Sequence, residues 1–243
     1  MSGLVLRFRP GRLVWTVVVS FYFLVFFWNF FNFAYAQTNS NETNPQAALP
    51  VSFAFIFVLW LACEYYFGSP FFQSGVVEPS AFWRGVFAFF VYPYLGYLAA
   101  DFVWWHTSQI PVPTAVTGIL GLLLFGLGVY IRLNTLFSLV RIAQVKQSQS
   151  KAHEQIVIPE KRFIALRFQR LCRHPRYLGI LIQLIGAALV FRSWGGLVLA
   201  LVLGLPLILV QVRHEDKELR KALRTEFSRY AVEVPLFWPK FRQ

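Results

Sequence analysis

Residues 114–140 read TAVTGILGLLLFGLGVYIRLNTLFSLV, an apolar run whose only charged residue is Arg132. About 20 consecutive apolar residues are enough for a helix to cross the hydrocarbon core of a bilayer. The chain is 57% hydrophobic and only 14% charged, with a mean hydropathy of +0.53, which lies outside the range of soluble globular domains. The run therefore predicts a transmembrane helix in an integral membrane protein.

Five further apolar blocks flank this run. They cover about 13–35, 51–67 and 82–100 before it, and 177–191 and 195–212 after it. The last two are short, and the intervening Arg192-Ser193-Trp194 with Gly195-Gly196 predicts the turn of a helical hairpin. From Glu215 onward apolar residues recur every fourth position, which predicts an amphipathic helix on the membrane surface. The predicted fold is all-α, a multi-pass transmembrane bundle of about six spans with this C-terminal interfacial helix.

The basic residues orient the predicted spans. Segments 37–46 and 101–113 contain no Lys or Arg, whereas segment 141–176 is rich in both. Cytoplasmic loops carry the excess of Lys and Arg, so both termini are predicted to be cytoplasmic, at the inner membrane if the protein is bacterial. The first block exceeds the usual length of a signal-peptide core, which favours a retained span over cleavage after Ala36. This topology accounts for the net charge of +12, and no nucleic-acid partner is expected.

Two polar clusters mark the predicted inner interface. The first, Arg173-His174-Pro175-Arg176-Tyr177, precedes the fifth block, and its proline suits the first turn of a helix, whose free N–H groups favour an anion. The second, Arg213-His214-Glu215-Asp216, follows the sixth block. The hairpin would bring both clusters to the same face of the membrane. Each cluster also has a plainer interpretation: a belt of Arg and Tyr beside lipid headgroups for the first, and capping of a helix start by paired carboxylates for the second.

A composite pattern runs through this region. It consists of Arg-His-Pro-x-Tyr-x-Gly at 173–179, the apolar hairpin, Glu215-Asp216 with Leu219, and then Tyr230, Val234-Pro235 and Pro239. The pattern resembles the C-terminal signature of the isoprenylcysteine carboxyl methyltransferase and phospholipid methyltransferase superfamily. Two departures stand out: Arg167-Phe168-Gln169 replaces a Gly-Pro-Tyr that often precedes Arg-His-Pro, and Gln211 stands where the prenylcysteine enzymes tend to carry an arginine.

The resemblance implies an enzyme that transfers a methyl group from S-adenosylmethionine to a hydrophobic or lipid-like acceptor, such as a prenylcysteine carboxylate. Arg213 and His214 are the expected catalytic residues. Arg213, with Arg132 as a second candidate, would orient an anionic acceptor, and His214 or His174 would serve as a base if the acceptor is a thiol or an amine. The acceptor class and the oligomeric state stay open. The expected cofactor-binding residues are His153, Arg173, His174, Pro175, Arg176, Tyr177 and Glu215.

On this interpretation residues 1–140 form an N-terminal four-span membrane region, and residues 141–243 form the methyltransferase region with its basic loop, hairpin and tail. The expected partners are membrane lipids and a lipidated or hydrophobic small molecule. Two alternatives stay open: an NADPH-dependent membrane enzyme like the sterol reductases, and a non-catalytic protein whose basic tail binds anionic lipid. Cys63 and Cys172 form no metal or redox motif, so no metal site is expected.

Overall fold

A computed structural model describes residues 48–68, 81–152 and 172–237, together with five separate positions between Val14 and Val25. This part of the chain is mostly helical and contains no strand, which confirms the predicted all-α class for the described residues. The helices are α1 (Ala48–Gly68), α2 (Ala81–Ala100), α3 (Thr114–Ala152), α4 (Pro175–Val190), α5 (Trp194–Leu199) and α6 (Leu205–Glu233). Contacts divide the chain into two units, Met1–Ser69 with α1 and Pro70–Gln243 with the other helices.

Among the described residues, two helical stretches are long and apolar enough to cross a membrane. They are Thr114–Phe137 in α3 and Trp194–Lys221, which runs from α5 into α6. Shorter apolar helices occupy Leu49–Glu64 and Pro175–Val190. Large apolar side chains on these stretches are exposed, as at Leu123 and Val202, and contiguous apolar surface of this kind marks contact with lipid or protein rather than water. Most of the first predicted span, 13–35, lies outside the described residues.

Two helices extend beyond their predicted ends. The sequence predicted a span that ends near Val212 and a separate amphipathic helix that begins at Glu215. In the structure, α6 is one continuous helix that covers both positions. No Gly or Pro interrupts residues 207–233, so nothing in the sequence breaks the backbone there. Glu215 and Asp216 therefore lie in mid-helix, and their interpretation as the cap of a helix start is wrong. Similarly, α3 continues to Ala152, so the beginning of the predicted basic loop is helical.

Glycines bring α3 and α4 into backbone contact. A Cβ atom built on Gly121 would lie 2.7 Å from the carbonyl oxygen of Gly186, and one built on Gly128 would lie 2.6 Å from that of Gly179. On each helix the two glycines are separated by two turns, so both contacts fall on one face of each helix. Gly179 also faces the aliphatic part of the buried Arg132. This close approach fixes the start of α4 against α3.

A polar network joins the loop after α2 to the turn before α5. The buried Asp101 carboxylate accepts hydrogen bonds from the backbone N–H and the hydroxyl of Thr107 and from the backbone N–H and the hydroxyl of Ser108. The shortest of these bonds, from the Ser108 hydroxyl, is 2.6 Å. The Ser108 hydroxyl lies 2.8 Å from that of Ser193, which accepts the N–H of Gly196 in the first turn of α5. The network ties the α4–α5 hairpin to the loop that leads into α3.

The hairpin turn differs in one detail from the sequence prediction. Arg192, with φ of 55°, makes the tight bend, and its guanidinium donates to the Thr114 hydroxyl at 2.8 Å and to the Ile110 carbonyl at 2.9 Å. Gly195 and Gly196 are not in the turn but inside α5, where Cβ atoms would collide with side chains of α2. The glycines are therefore used for close helix packing, and the predicted hairpin is closed by Arg192.

Asp101→Ala is expected to lower the free energy of unfolding by about 3 kcal/mol, because it leaves enclosed hydroxyl and amide donors without an acceptor. Burial raises the pKa of the Asp101 carboxyl, but hydrogen bonds from Ser108, Thr107 and Ser193 outweigh burial and hold it below the ordinary value of 3.8. A carboxyl whose pKa is lowered by folding stabilises the protein above that ordinary value and loses this contribution as the pH falls below it.

Thermal unfolding of the detergent-purified protein at pH 7 and pH 3 measures both effects. The difference in unfolding temperature between the wild type and Asp101→Ala should be large at pH 7 and smaller at pH 3. Asp101→Asn keeps the shape of the side chain and one carbonyl oxygen. At pH 7 its unfolding temperature should lie between those of the wild type and Asp101→Ala. A difference that is the same at both pH values would contradict the role assigned to the ionised carboxylate.

Candidate functional site

The first predicted cluster lies at the start of α4. Pro175 occupies the first turn, where a backbone N–H is not needed, so the proline begins the helix at no cost in hydrogen bonding. The carbonyl of His174 accepts the N–H groups of Tyr177 at 3.1 Å and Leu178 at 3.2 Å. The side chains of His174 and Pro175 are buried. The sequence prediction of a proline-initiated helix at this position is confirmed.

The segment after α6 holds this cluster through backbone contacts. The N–H of Arg173 donates to the carbonyl of Pro235 at 2.9 Å, and the N–H of His174 donates to that of Leu236 at 3.4 Å. Val234 ends α6 in an extended conformation, which directs the following residues past the start of α4. The Val-Pro part of the sequence pattern thus contributes main-chain atoms to the site.

Asp216 joins the two predicted clusters. Its Oδ2 atom accepts from Nη1 of Arg173 at 2.6 Å, and its Oδ1 atom lies 2.6 Å from Nε2 of His174. An ionised carboxylate can only accept, so His174 carries a hydrogen on Nε2 in this arrangement. The side chains of His174, Arg173 and Asp216 are 5%, 15% and 14% exposed, so solvent screens these interactions weakly. Asp216 therefore anchors the start of α4 to the middle of α6.

Glu215 and Gln211 lie one turn apart on α6 and both form hydrogen bonds with Tyr177. Because the Glu215 carboxylate can only accept, the phenol O–H donates a hydrogen bond to Glu215. The phenol oxygen accepts a hydrogen bond from the amide nitrogen of Gln211. The Oε1 atom of Gln211 and the Oε2 atom of Glu215 are buried and have no hydrogen-bond partner among the described residues. Oε2 of Glu215 lies 3.7 Å from Nδ1 of His174, beyond hydrogen-bond distance.

The remaining predicted site residues lie around this group. Arg176 is half-buried and within electrostatic reach of Tyr177. Arg213 is exposed, and His214 interacts electrostatically with Glu218. Neither side chain joins the group around Asp216. His153 lies outside the described residues. The structure thus brings together Arg173, His174, Tyr177 and Glu215, and adds Gln211 and Asp216, which were not among the predicted site residues.

Cys172 and Tyr230 border the cluster. Burial raises the pKa of the Cys172 thiol to about 11, so the thiol is protonated near neutral pH and is not a nucleophile. Burial also raises the pKa of the Tyr230 phenol, with a further contribution from Cys172, while Arg173 opposes the increase. Both side chains therefore act as neutral packing groups next to the charged ones.

The site has unused hydrogen-bonding capacity of both kinds. Nε of Arg173 is a buried donor that has no partner in the part of the chain that the structure describes, and Gln211 and Glu215 supply the two buried acceptors. Buried polar atoms are nearly always paired in folded proteins, so a set of unpaired ones in one place suits a polar ligand. Within the described ranges, no group of three or more His, Cys, Asp or Glu side chains is arranged to hold a metal ion.

Comparisons with known proteins give no family assignment. No sequence profile of a known protein family matches the chain, and no curated protein matches it significantly. The resemblance to the membrane methyltransferases consequently stays a prediction from the residues of the pattern. Any function assigned to the site has to be argued from its geometry together with that pattern.

Proposed function

We propose that this protein is an integral membrane methyltransferase that uses S-adenosylmethionine to methylate a hydrophobic or lipid-like acceptor. The observation that carries the proposal is the convergence of His174, Tyr177 and Glu215 between α4 and α6. The sequence resemblance gives all three residues cofactor contacts, although Glu215 is distant in the chain from the other two. Their meeting at one enclosed place is what a shared ligand requires.

The unpaired atoms support a charged, polar ligand at this place. Nε of Arg173 is a buried donor suited to a carboxylate, such as the one at the amino-acid end of S-adenosylmethionine. Tyr177 is fixed by its hydrogen bonds with Glu215 and Gln211, so its ring has one defined orientation for packing against a ligand. His174 is fixed by Asp216 in the same way. A cofactor would therefore meet side chains already held in position.

When bound, the cofactor supplies a methyl group attached to a positively charged sulfur atom. Positive charge on that sulfur is lost during transfer, so the residues can accelerate the reaction chiefly by excluding water and aligning the two partners. In the neutral form of its ring, His174 donates from Nε2 to the Asp216 carboxylate, and the lone pair of Nδ1 can take a proton from the acceptor. The chain thus offers positioning groups and one proton acceptor.

The proposed topology has about six spans with both termini in the cytoplasm. It is supported by the lack of Lys and Arg in segment 101–113 and by their abundance in segment 141–176. Arg192, the one arginine of the opposite turn, is engaged by Thr114 and Ile110, which explains how a cation is tolerated there. The site then lies at the cytoplasmic membrane boundary, where a soluble cofactor and a lipid-like acceptor can meet.

Binding of S-adenosylmethionine and S-adenosylhomocysteine to detergent-purified protein tests the proposal by calorimetry. Glu215→Gln is expected to weaken binding roughly tenfold or more, because it replaces the charged acceptor that orients Tyr177 with a neutral amide. Tyr177→Phe should weaken binding by a smaller factor. Glu218→Gln, an exposed change three residues along the same helix, is the matched control and should bind like the wild type.

Three results would reject the proposed function. The first is folded protein that binds neither compound. Saturable binding of NADPH in their place would favour a reductase, and binding of anionic lipid that is insensitive to Glu215→Gln would favour the non-catalytic alternative. The division of the chain into a four-span region ending at residue 140 and a methyltransferase region after it stays a prediction.

A further inference from the structure

The side of α6 that faces away from the site carries a row of cations. Arg213, Lys217 and Arg220 are all exposed, and their spacing of four and three residues places them on one face of the helix. The opposite face is apolar and packs against the protein, as the buried Val212 and Leu219 show. The exposed face formed by Arg213, Lys217 and Arg220 is here called the α6 cationic face.

Carboxylates of the protein leave this face positively charged. Neither Arg213 nor Arg220 forms an ion pair with another described residue. The two site carboxylates of α6 are directed towards α4 and are engaged there. Glu218, at the edge of the face, is paired with the Nζ atom of Lys221 at 2.7 Å. An anion that satisfies the α6 cationic face therefore has to come from outside this part of the chain.

Exposed tryptophans lie at the other end of the same helical stretch. Trp194 begins α5 and is 53% exposed, and Trp104 and Trp105 in the loop after α2 are 44% and 56% exposed. The N–H of Trp194 donates to the carbonyl of Ser108 at 2.7 Å, which ties the start of α5 to that loop. Tryptophan is enriched where a membrane meets water, so these three side chains mark one membrane boundary.

The length of the helix places the cations at the opposite boundary. Trp194–Lys221 is one helical stretch, and the rise between positions 194 and 213 is about 28 Å. The hydrocarbon core of a bilayer is about 30 Å thick, and each polar headgroup layer adds about 5–7 Å. Arg213 therefore lies at the far edge of the core, and Lys217 lies about 6 Å further, within the headgroup layer. Arg220, about 10 Å beyond Arg213, can extend its long side chain back into that layer.

We propose that the α6 cationic face binds the phosphate groups of anionic phospholipids in the leaflet opposite the tryptophan boundary. Three cations without a neutralising carboxylate stand at the height of the headgroups, and each Lys or Arg near an anionic membrane surface favours binding roughly fivefold. A zwitterionic lipid such as phosphatidylcholine carries a compensating ammonium group and gains much less. The face is thus complementary to lipids with net negative charge.

This inference does not rest on the proposed methyl transfer. Glu215 and Asp216 are directed towards α4, away from the α6 cationic face, so a lipid there leaves the proposed cofactor site open. The non-catalytic alternative differs from it, because there the anionic lipid is bound in place of a cofactor. An acidic soluble protein is the other occupant with matching charge, and the experiment below distinguishes it from a lipid.

Lipid preference is measured with the full-length protein in phosphatidylcholine vesicles. Spin-labelled phosphatidylglycerol and spin-labelled phosphatidylcholine are added separately, and electron paramagnetic resonance gives the fraction of each label that is held at the protein. At low ionic strength we expect the anionic label to associate roughly fivefold or more strongly than the zwitterionic one. At about 1 M salt, where the Debye length is about 3 Å, the preference should fall towards unity.

Substitutions on the face identify the residues responsible. Lys217→Gln and Arg220→Gln are each expected to lower the preference roughly twofold or more, and the double variant should remove most of it. Lys217→Arg keeps the charge and should retain the preference. Arg229→Gln is the matched control, since Arg229 is exposed on the same helix but lies about 24 Å beyond Arg213, well outside the headgroup layer. All four positions are on the surface, so unfolding temperatures should match the wild type.

Equal association of the two labelled lipids with the wild type would overturn the inference. An undiminished preference in the double variant would overturn it too, and so would an equal loss in Arg229→Gln, which would reveal the total charge of the protein rather than a site. Absence of lipid preference, together with binding of polyglutamate that Lys217→Gln weakens, would assign the face to an acidic protein. Cofactor binding without lipid preference rejects only this inference, and lipid preference without cofactor binding rejects only the methyltransferase function.

Discussion

Gly128→Ala is expected to destabilise the α3–α4 pair by about 1–3 kcal/mol or more, although alanine is the better helix former. The added methyl group would lie 2.6 Å from the Gly179 carbonyl oxygen and 2.6 Å from Cγ of Gln183. The oxygen belongs to the facing backbone and cannot move aside as a side chain does, so the two helices must separate. Separation also displaces the start of α4, and cofactor binding should fall with stability.

Gly126 provides a matched control on the same helix. A Cβ atom on Gly126 meets nothing within 4 Å, so Gly126→Ala should be neutral or slightly stabilising. Thermal unfolding of the two variants in detergent, followed by size-exclusion chromatography, measures the difference. Gly121→Ala should behave like Gly128→Ala, because its methyl group would meet the Gly186 carbonyl oxygen. Equal unfolding temperatures for Gly126→Ala and Gly128→Ala would contradict the close approach of the helices.

Asp216→Ala is expected to have the second large effect, a loss of about 3 kcal/mol in the free energy of unfolding together with loss of cofactor binding. The substitution leaves the enclosed Arg173 guanidinium without its carboxylate, and it removes the acceptor that fixes His174. Removing one member of an enclosed ion pair is costly because the remaining charge keeps its desolvation penalty. Calorimetric binding of S-adenosylhomocysteine and thermal unfolding provide the two measurements.

Asp216→Asn separates the contribution of charge from that of shape. The amide keeps one carbonyl acceptor but cannot serve both Arg173 and His174 as a carboxylate does, so an intermediate loss of stability is expected. Glu218→Gln, which affects an exposed pair with Lys221, should change neither measurement. Wild-type stability and binding in Asp216→Ala would show that the contact between α4 and α6 is held by other groups.

Much of the helical architecture follows from residue pattern alone. The apolar block at 82–100 corresponds closely to α2, and Pro175 starts α4, where the fixed geometry of proline suits the first turn of a helix. The glycines of α3 are small enough to allow a close helix contact, but composition does not say which face is in contact. Gly128 touches α4 whereas Gly126 is open, and the difference depends on the rotation of one helix against the other.

The sequence pattern predicted some, but not all, of the residues that meet between α4 and α6. His174, Tyr177 and Glu215 follow from the sequence pattern, whereas Asp216 and Gln211 depend on which side of α6 faces α4. The rotation of α6 about its own axis is set partly by a π-helical segment, Ala200–Gly204. This segment changes the number of residues per turn just before α6. Apolar sequence around it carries no signal for such a segment, so the side-chain directions of Glu215 and Asp216 could not be derived.

The backbone contacts between the start of α4 and the segment after α6 also constrain how the protein is made. Translation produces Arg173 and His174 well before their main-chain partners Pro235 and Leu236, and helices begin to fold and insert as they are synthesised. The helix that carries the site is therefore in place before the residues that complete it have left the ribosome. The contact between the start of α4 and the segment after α6 can therefore form only after α5 and α6 have been synthesised.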